Sequence, residues 1–137
     1  MEKELIISMP LYLVLAKQKN EKAKKYYLNL NQYRNWHYLV SNNLKKKYAE
    51  VVIEKLPANF VFTKPIDLTF TLWKKDKRRG DRANPLSVHE KFFCDALVHA
   101  KAIPDDNDNF IQSTHYYTGG IDKENPRVEI KIKECPE

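Results

Sequence analysis

The segment 66–72 carries the pattern that most limits how this chain can fold. Four apolar residues alternate there with polar ones: Ile66, Leu68, Phe70 and Leu72. Successive side chains of a β-strand point to opposite faces, so this alternation predicts a strand with one buried face. The segment 128–132 alternates in the same way. Such a sheet needs other elements to cover its apolar face, and helices packed on it are expected.

Two segments have the three- and four-residue apolar spacing of amphipathic helices. The first covers about twenty residues from a cap at Asn31 to a stop near Leu56. The second begins either at Pro85 with Asn84 as its cap, or slightly later at a capping box that opens on Ser87. Its buried side is marked by five residues: Phe92, Phe93, Ala96, Leu97 and Ala100.

Three other segments have the composition of strands, and two have the composition of turns. The strand candidates are 5–16, broken at Pro10, then 60–62 and 110–117, and the turns are Gly119-Gly120 and 124–126. The order of all elements predicts a single α+β domain over residues 1–137. Its sheet is expected to be mixed or mostly antiparallel, with two main helices packed on it.

Charge is divided unevenly along the chain. Residues 1–80 hold 17 Lys and Arg against 7 Asp and Glu, whereas residues 81–137 hold 7 against 11. This asymmetry favours a surface for an anionic polymer beside a separate carboxylate-rich site. The segment 17–25 has no apolar periodicity and is predicted to be an exposed basic loop.

Cysteine content and hydropathy exclude several protein classes. Cys94 and Cys135 provide neither a disulfide framework nor zinc-ligand spacing. No apolar run reaches about eighteen residues, and the first residues lack the basic opening of a signal peptide. We therefore expect no contact with a membrane and a cytoplasmic location.

The segment 74–108 places cations that can hold a phosphate backbone beside carboxylates that can hold Mg²⁺. A basic loop, 74–84, supplies the cations as candidate DNA contacts: Lys74, Lys75, Lys77, Arg78, Arg79 and Arg82. The candidate metal ligands are Asp81, Asp105 and Asp106. Two or three convergent carboxylates are enough for Mg²⁺, which keeps several waters.

The acidic turn 105–108 and Asp81 flank the second predicted helix. Fourteen helical residues span roughly 20 Å, so one shared site requires a particular tertiary arrangement. Either the turn folds back onto a neighbouring strand, or a dimer contact brings the acids together. An ordinary Asp/Asn turn without a metal is the alternative interpretation.

Lys91 and Asp95 are four residues apart and share one helix face. They form either a surface ion pair worth a few tenths of a kcal/mol, or a site in which Lys91 stabilises charge on a scissile phosphate. The four histidines have no metal-ligand spacing: His37, His89, His99 and His115. No Ser/His/Asp or Cys/His nucleophile set is predicted.

These motifs resemble the endodeoxyribonuclease RusA family, Holliday junction resolvases common in phages and prophages. The resemblance covers residues 66–134 in order and spacing, and 30–37 resembles the phage branch. Its motifs are Lys77-Arg78-Arg79-Gly80-Asp81, Lys91, Phe93-Cys94-Asp95-Ala96-Leu97 and Asp105-Asp106.

The resemblance implies a bacterial or phage-encoded homodimer that binds four-way DNA junctions. It would cut two strands symmetrically with Mg²⁺, or alternatively Mn²⁺, held by aspartates. Asp106 matches the catalytic Asp, Lys91 matches the helix lysine needed for cleavage, and Asp81 is closest to the first metal-binding Asp. Three further residues are accessory candidates: Asn84, Glu90 and Asp95.

One departure from the family pattern leaves two hypotheses open. The family shows two aspartates one residue apart before the helix, but the positions counted back from Lys91 hold Pro85 and Ser87. Glu90 could supply the missing oxygen in an active, structure-selective endonuclease. Otherwise the chain only binds branched or double-stranded DNA. A single-stranded RNA reader is disfavoured because no strand with paired exposed aromatic residues is predicted.

Overall fold

The computed structural model describes residues 3–15, 22–77 and 81–135. Six strands and three helices follow one another within these residues. They are β1 (Glu4–Pro10), β2 (Tyr12–Leu15), β3 (Lys24–Tyr27), α1 (Leu30–Tyr33), α2 (Tyr38–Lys55), β4 (Ile66–Lys74), α3 (Ala83–His99), β5 (Ile111–Ile121) and β6 (Arg127–Glu134).

Four strands form the main sheet in the order β1-β6-β4-β5, and β2 pairs with β3 in a separate two-stranded sheet. The pairs β1–β6 and β4–β6 are antiparallel, while β4 and β5 are parallel. Parallel neighbours need a long crossover, and α3 supplies it. The predicted α+β class with a mixed sheet is confirmed.

The core lies between the main sheet and the helices. The predicted alternation in β4 is confirmed, because Ile66, Leu68 and Phe70 are fully buried while Asp67 and Thr69 are only half-buried. From the helices, the largest fully buried side chains are Tyr48, Phe92 and Phe93. Burial of each large apolar side chain contributes about 1.5–3 kcal/mol, which fixes α3 against the sheet.

The long helix predicted from Asn31 is divided into two helices. The first, α1, is capped by Asn29, whose Oδ1 accepts a hydrogen bond from the Gln32 amide at 2.9 Å. The second, α2, follows His37, whose Nδ1 accepts one from the Leu39 amide at 3.2 Å. The prediction of Asn31 as the cap was therefore wrong, whereas the predicted end near Leu56 is confirmed.

The start of α3 also differs from both predicted starts. The helix begins at Ala83, and Oδ1 of Asp81 accepts a hydrogen bond from the Ala83 amide at 2.9 Å. Oδ1 of Asn84 instead accepts from the Leu30 amide at 2.7 Å, so Asn84 joins α1 to α3. Oγ of Ser87 donates to the Ala83 carbonyl at 2.6 Å and forms no capping box.

Of three further predictions about strands and loops, one is confirmed and two differ from the structure. The break at Pro10 is confirmed, since β1 ends there and β2 begins at Tyr12. Residues 60–62 form no strand, because the Phe62 amide donates to the Ala102 carbonyl instead. In the predicted loop 17–25, Lys24 and Lys25 belong to β3, while residues 17–21 lie outside the described residues.

Gly119 and Gly120 lie within β5 rather than in a turn. A Cβ on Gly119 would lie 2.6 Å from Cε2 of Trp73, so the indole occupies the space a side chain would need. Gly120 has φ 133° beside a register shift at Leu72/Trp73. The chain reverses instead in the segment 122–126, between the end of β5 and the start of β6.

No helix within the described residues has the length and apolar content needed to cross a membrane.

Candidate active site

A cleft of about 410 Å³ opens between α3, the acidic turn and the start of β5. Its polar lining comes from all three segments: Glu90, Lys91, Cys94, Asp106, Asp108, Gln112, Ser113 and Thr114. The turn folds back beside α3 and the start of β5. Lys91 and Asp106, fifteen positions apart, therefore line one cleft.

The chain direction after α3 explains how the acidic turn reaches the cleft. Lys101 adopts a left-handed conformation with φ 61°, a common way for a helix to end. The Ala102 amide then donates to the Leu97 carbonyl at 2.9 Å. Ala102 and Ile103 are buried, so the returning segment is anchored in the core just before the acids.

Asp105 holds the acidic turn together and does not line the cleft. Its Oδ1 accepts a hydrogen bond from the Asp106 amide at 2.8 Å, and its Oδ2 accepts one from Nδ2 of Asn107 at 3.2 Å. Both oxygens are therefore used within the turn. Asp106 and Asp108, rather than Asp105, are the acids that this turn presents to the cleft.

Glu90 is oriented by Tyr116 of β5. The Tyr116 hydroxyl donates to Oε1 of Glu90 at 2.6 Å. Burial, and then the hydrogen bond to Glu90, raise the pKa of Tyr116, so this hydroxyl keeps its proton. The bond engages one carboxylate oxygen and fixes the direction of the other.

Lys91 is positioned by Tyr33 of α1. Its Nζ donates to the Tyr33 hydroxyl at 2.8 Å and lies 5.1 Å from the ring centroid. The hydrogen bond to Tyr33 raises the pKa of Lys91, although burial opposes it. Lys91 thus remains cationic.

Asp95, the predicted partner of Lys91 on α3, lines a different cleft. That cleft lies between α2 and α3, and Lys45 and Lys46 line it as well.

Cys94 lies at the base of the cleft and is 7% exposed. Burial, followed by the negative charges of Glu90, Asp106 and Asp95, raises its pKa to about 12. The thiol is therefore protonated near neutral pH and is a poor nucleophile. Two of these acids, Glu90 and Asp106, line the cleft together with Cys94.

Asp81 lines another cleft, of about 390 Å³, beside β3 and the start of α3. The helix rises about 12 Å between Ala83 and Lys91, whereas Mg²⁺ binds its ligands at roughly 2 Å. Within one chain, Asp81 and Asp106 therefore do not meet around one ion. The predicted single site of Asp81, Asp105 and Asp106 is not formed in the subunit.

The predicted DNA-contacting loop is partly described. Lys75, Lys77 and Arg82 are exposed, and Lys74 is half-buried at the end of β4. Lys74 and Lys75 line the same cleft as Asp81. Arg78 and Arg79 lie outside the described residues.

The lining residues fit one kind of Mg²⁺ site. Among the residues that the structure describes, no cluster of three or more His, Cys, Asp or Glu side chains is arranged to hold a metal. Mg²⁺ at phosphoryl-transfer sites is often held by one or two carboxylates together with substrate phosphates. Glu90 and Asp106 fit such a substrate-completed site, and they do not form a preformed cage.

One polar cluster was not predicted from the sequence. Oγ of Ser113 donates to Oδ1 of Asp67 and lies 3.1 Å from Nε2 of His115. Ser113 stands between the other two groups, so His115 is not placed between a serine and an acid as in a hydrolase triad. Only the parallel register, which pairs Asp67 with Ser113, brings them together.

No protein-family model matches this chain, and no curated protein matches it significantly.

Proposed function

We propose that this chain is a Mg²⁺-dependent endonuclease that cuts branched DNA, as members of the RusA family do. One observation carries the proposal: Glu90, Lys91 and Asp106 line a single cleft. An acid pair beside a permanent cation is the arrangement that hydrolysis of a phosphodiester requires. Glu90 takes the role of the acid that the family has before the helix.

Each polar residue of the cleft has its own role in the proposed cleavage reaction. Glu90 and Asp106 would hold the Mg²⁺, which would polarise the phosphate and activate a water. Lys91 stabilises the negative charge that develops on the phosphate oxygens. Tyr33 holds the ammonium of Lys91, and Tyr116 orients Glu90, so both act as positioning residues.

DNA binding relies on cations outside the cleft. Lys75, Lys77 and Arg82 are exposed around the start of α3, where they contact backbone phosphates without reading sequence. A homodimer would present two such clefts to a four-way junction and cut it symmetrically. Asp81 has a structural role in this proposal, because its carboxylate caps the Ala83 amide.

The test uses a synthetic four-way junction, Mg²⁺ and the variant Asp106→Asn. We expect cleavage to be lost while junction binding is retained. Asp105→Asn is the matched control, since it is the adjacent acid, lies outside the cleft and keeps an acceptor for the Asp106 amide. Equal cleavage by Asp106→Asn and the unaltered protein would reject the proposed site.

The second candidate is a protein that binds branched DNA without cutting it. It is favoured by the departure from the family pattern before α3, where Pro85 and Ser87 stand at the positions of the family's two aspartates. Equal junction binding with and without Mg²⁺, together with no nicked product, would support this candidate over the endonuclease.

A further inference from the structure

The β2–β3 hairpin carries a pair of aromatic rings, half-buried Tyr12 and exposed Tyr27, that the proposed cleavage site does not use. Leu13 and Tyr26, which are paired in register, point into the core. Tyr12 and Tyr27 are the next pair along the hairpin, so alternation places both rings on its opposite, outer face. Tyr27 is 43% exposed.

The rings of Tyr12 and Tyr27 pack against each other in a tilted arrangement, and a lysine lies beside them. Their centroids are 5.4 Å apart, with 52° between the ring planes. Nζ of Lys25 lies 4.8 Å from the centroid of Tyr12, on the same face of the hairpin. Lys25 and the neighbouring Lys24 are exposed. An open aromatic face flanked by lysines is the composition of surfaces on which unpaired bases stack.

A cleft lies next to this pair of tyrosines. Tyr27 forms one side of the 390 Å³ cleft described for Asp81, and Lys74, Lys75 and Asn31 line it as well. Its volume lies within the range of small-ligand pockets. Apolar contact from Leu11 and Leu28 suits a base, and the lysines suit its phosphates, while two carboxylates on the same lining, Asp76 and Asp81, offset part of the positive charge. The Asn31 amide has the donor and acceptor that a base edge can use.

We propose that Tyr27 and this cleft bind an unpaired nucleotide of DNA. The base stacks on the Tyr27 ring, Tyr12 supports that ring from the paired strand, and Lys25 and Lys75 neutralise the flanking phosphates. The identification of the ligand as DNA rests on the proposed function. At a branch point such a surface holds a base that has left its pair, at a place separate from the cleavage cleft.

A purely structural role for the tyrosines makes a different prediction. A cross-strand aromatic pair stabilises a hairpin and has no dependence on an added ligand. In that case removal of the Tyr27 ring lowers hairpin stability but does not alter affinity for nucleic acid. Binding measurements on folded variants therefore separate the two roles.

The experiment measures fluorescence anisotropy of a labelled oligo-dT of about ten nucleotides, with EDTA present so that no metal site contributes. We expect Tyr27→Ala to bind about 5- to 150-fold more weakly, the range for loss of one base–aromatic stack. Tyr27→Phe keeps the ring and should bind normally. Tyr117→Ala is the matched control, because Tyr117 is 56% exposed on β5 of the main sheet, whereas the hairpin forms a separate sheet.

A second readout detects direct binding at this residue. An oligo-dT carrying one 5-iodouracil should crosslink on irradiation to the peptide that contains Tyr27. Binding of a blunt duplex should not change in Tyr27→Ala. If that variant unfolds, Tyr27→Leu keeps apolar packing without an aromatic face and is expected to show the same loss.

Normal oligo-dT binding by folded Tyr27→Ala or Tyr27→Leu would overturn this inference, even if junction cleavage is observed. Conversely, the protein could bind oligo-dT in a Tyr27-dependent way and yet cut no junction. That result would reject the endonuclease proposal and support the stacking surface. The two proposals therefore fail separately.

Discussion

The Tyr48 hydroxyl and Nδ1 of His89 lie 2.8 Å apart, and both side chains are fully buried where α2 packs on α3. Nε2 of His89 is buried without a hydrogen-bond partner in the described part of the chain. Because a charged imidazole in this position would have no counterion in the pair, the neutral form is strongly preferred.

His89 should make stability fall in mild acid. Burial lowers its pKa to about 3, against about 6.5 in an unfolded chain. The stability from neutral His89 is complete above pH 6.5 and is lost as pH falls towards 3, since the unfolded state takes up the proton first. His89→Gln can still bond Tyr48 but does not titrate. Between pH 7.5 and 4.5, urea unfolding should show the stability gap to this variant shrink by about 2–3 kcal/mol. A constant gap would contradict the prediction.

Glu134 should stabilise the fold through its charge. It is 2% exposed, and its carboxylate accepts hydrogen bonds from the amides of Lys3, Thr63 and Lys64 at 2.7–3.1 Å. Burial alone would raise the pKa of Glu134, but these bonds lower it overall. Glu134→Gln turns one acceptor into a donor facing an amide and should cost about 1–3 kcal/mol.

The pH dependence checks the cause of the Glu134 effect. A depressed carboxyl pKa contributes stability above the unfolded value, near 4.3, and this stability is lost as pH falls below it. The gap between wild type and Glu134→Gln in urea unfolding should therefore be largest near neutrality and narrow in acid. The exposed Glu54→Gln on α2 serves as the control and should change little at either pH.

Gly119→Ala should destabilise the sheet by about 1–3 kcal/mol. The added Cβ would lie 2.6 Å from the Trp73 indole and 2.8 Å from Cγ2 of Thr71. The indole has little room to move, because the Arg127 guanidinium lies 5.0 Å from the ring centroid on the same sheet. Thermal unfolding with near-ultraviolet circular dichroism checks this prediction. Normal stability of the variant would contradict the prediction, and a changed tryptophan signal would then show that the indole moves to make room for the methyl group.

Tyr116→Phe should raise the Mg²⁺ concentration needed for half-maximal junction cleavage by about tenfold. Loss of a group that orients a metal ligand typically costs 10- to 100-fold in metal affinity. The variant removes only the hydroxyl that bonds Glu90. Tyr117→Phe is the neighbouring control. Junction binding in EDTA should match in both variants, and an unchanged Mg²⁺ requirement would remove Glu90 from the proposed ligand set.

Replacing Lys75 and Lys77 together by Gln should flatten the salt dependence of junction binding. Each backbone phosphate that the protein no longer neutralises reduces the slope of log affinity against log salt by about 1. Lys123→Gln, exposed in the turn between β5 and β6, is the control for a change in net charge. Identical slopes for the double variant and the control would show that the basic loop does not bind the backbone.

The sequence by itself determined the fold class and most of the longer elements. Alternation in 66–72 and in 128–132 records which side of a strand is buried, and this is a local property with a period of two. Helical spacing located most of α2 and α3 in the same way. The resemblance also assigned roles to Lys91 and Asp106, two residues that line one cleft.

Only the tertiary structure decided which polar groups meet. Parallel pairing of β4 with β5 joins Asp67 to Ser113, and the turn after α3 carries Asp106 to Glu90, leaving Asp81 beside β3. The pairing of Tyr12 with Tyr27 likewise depends on the register of a hairpin. Periodicity along a chain shows which face of an element is apolar, but it does not contain the long-range register and turn geometry that choose the neighbours of each side chain.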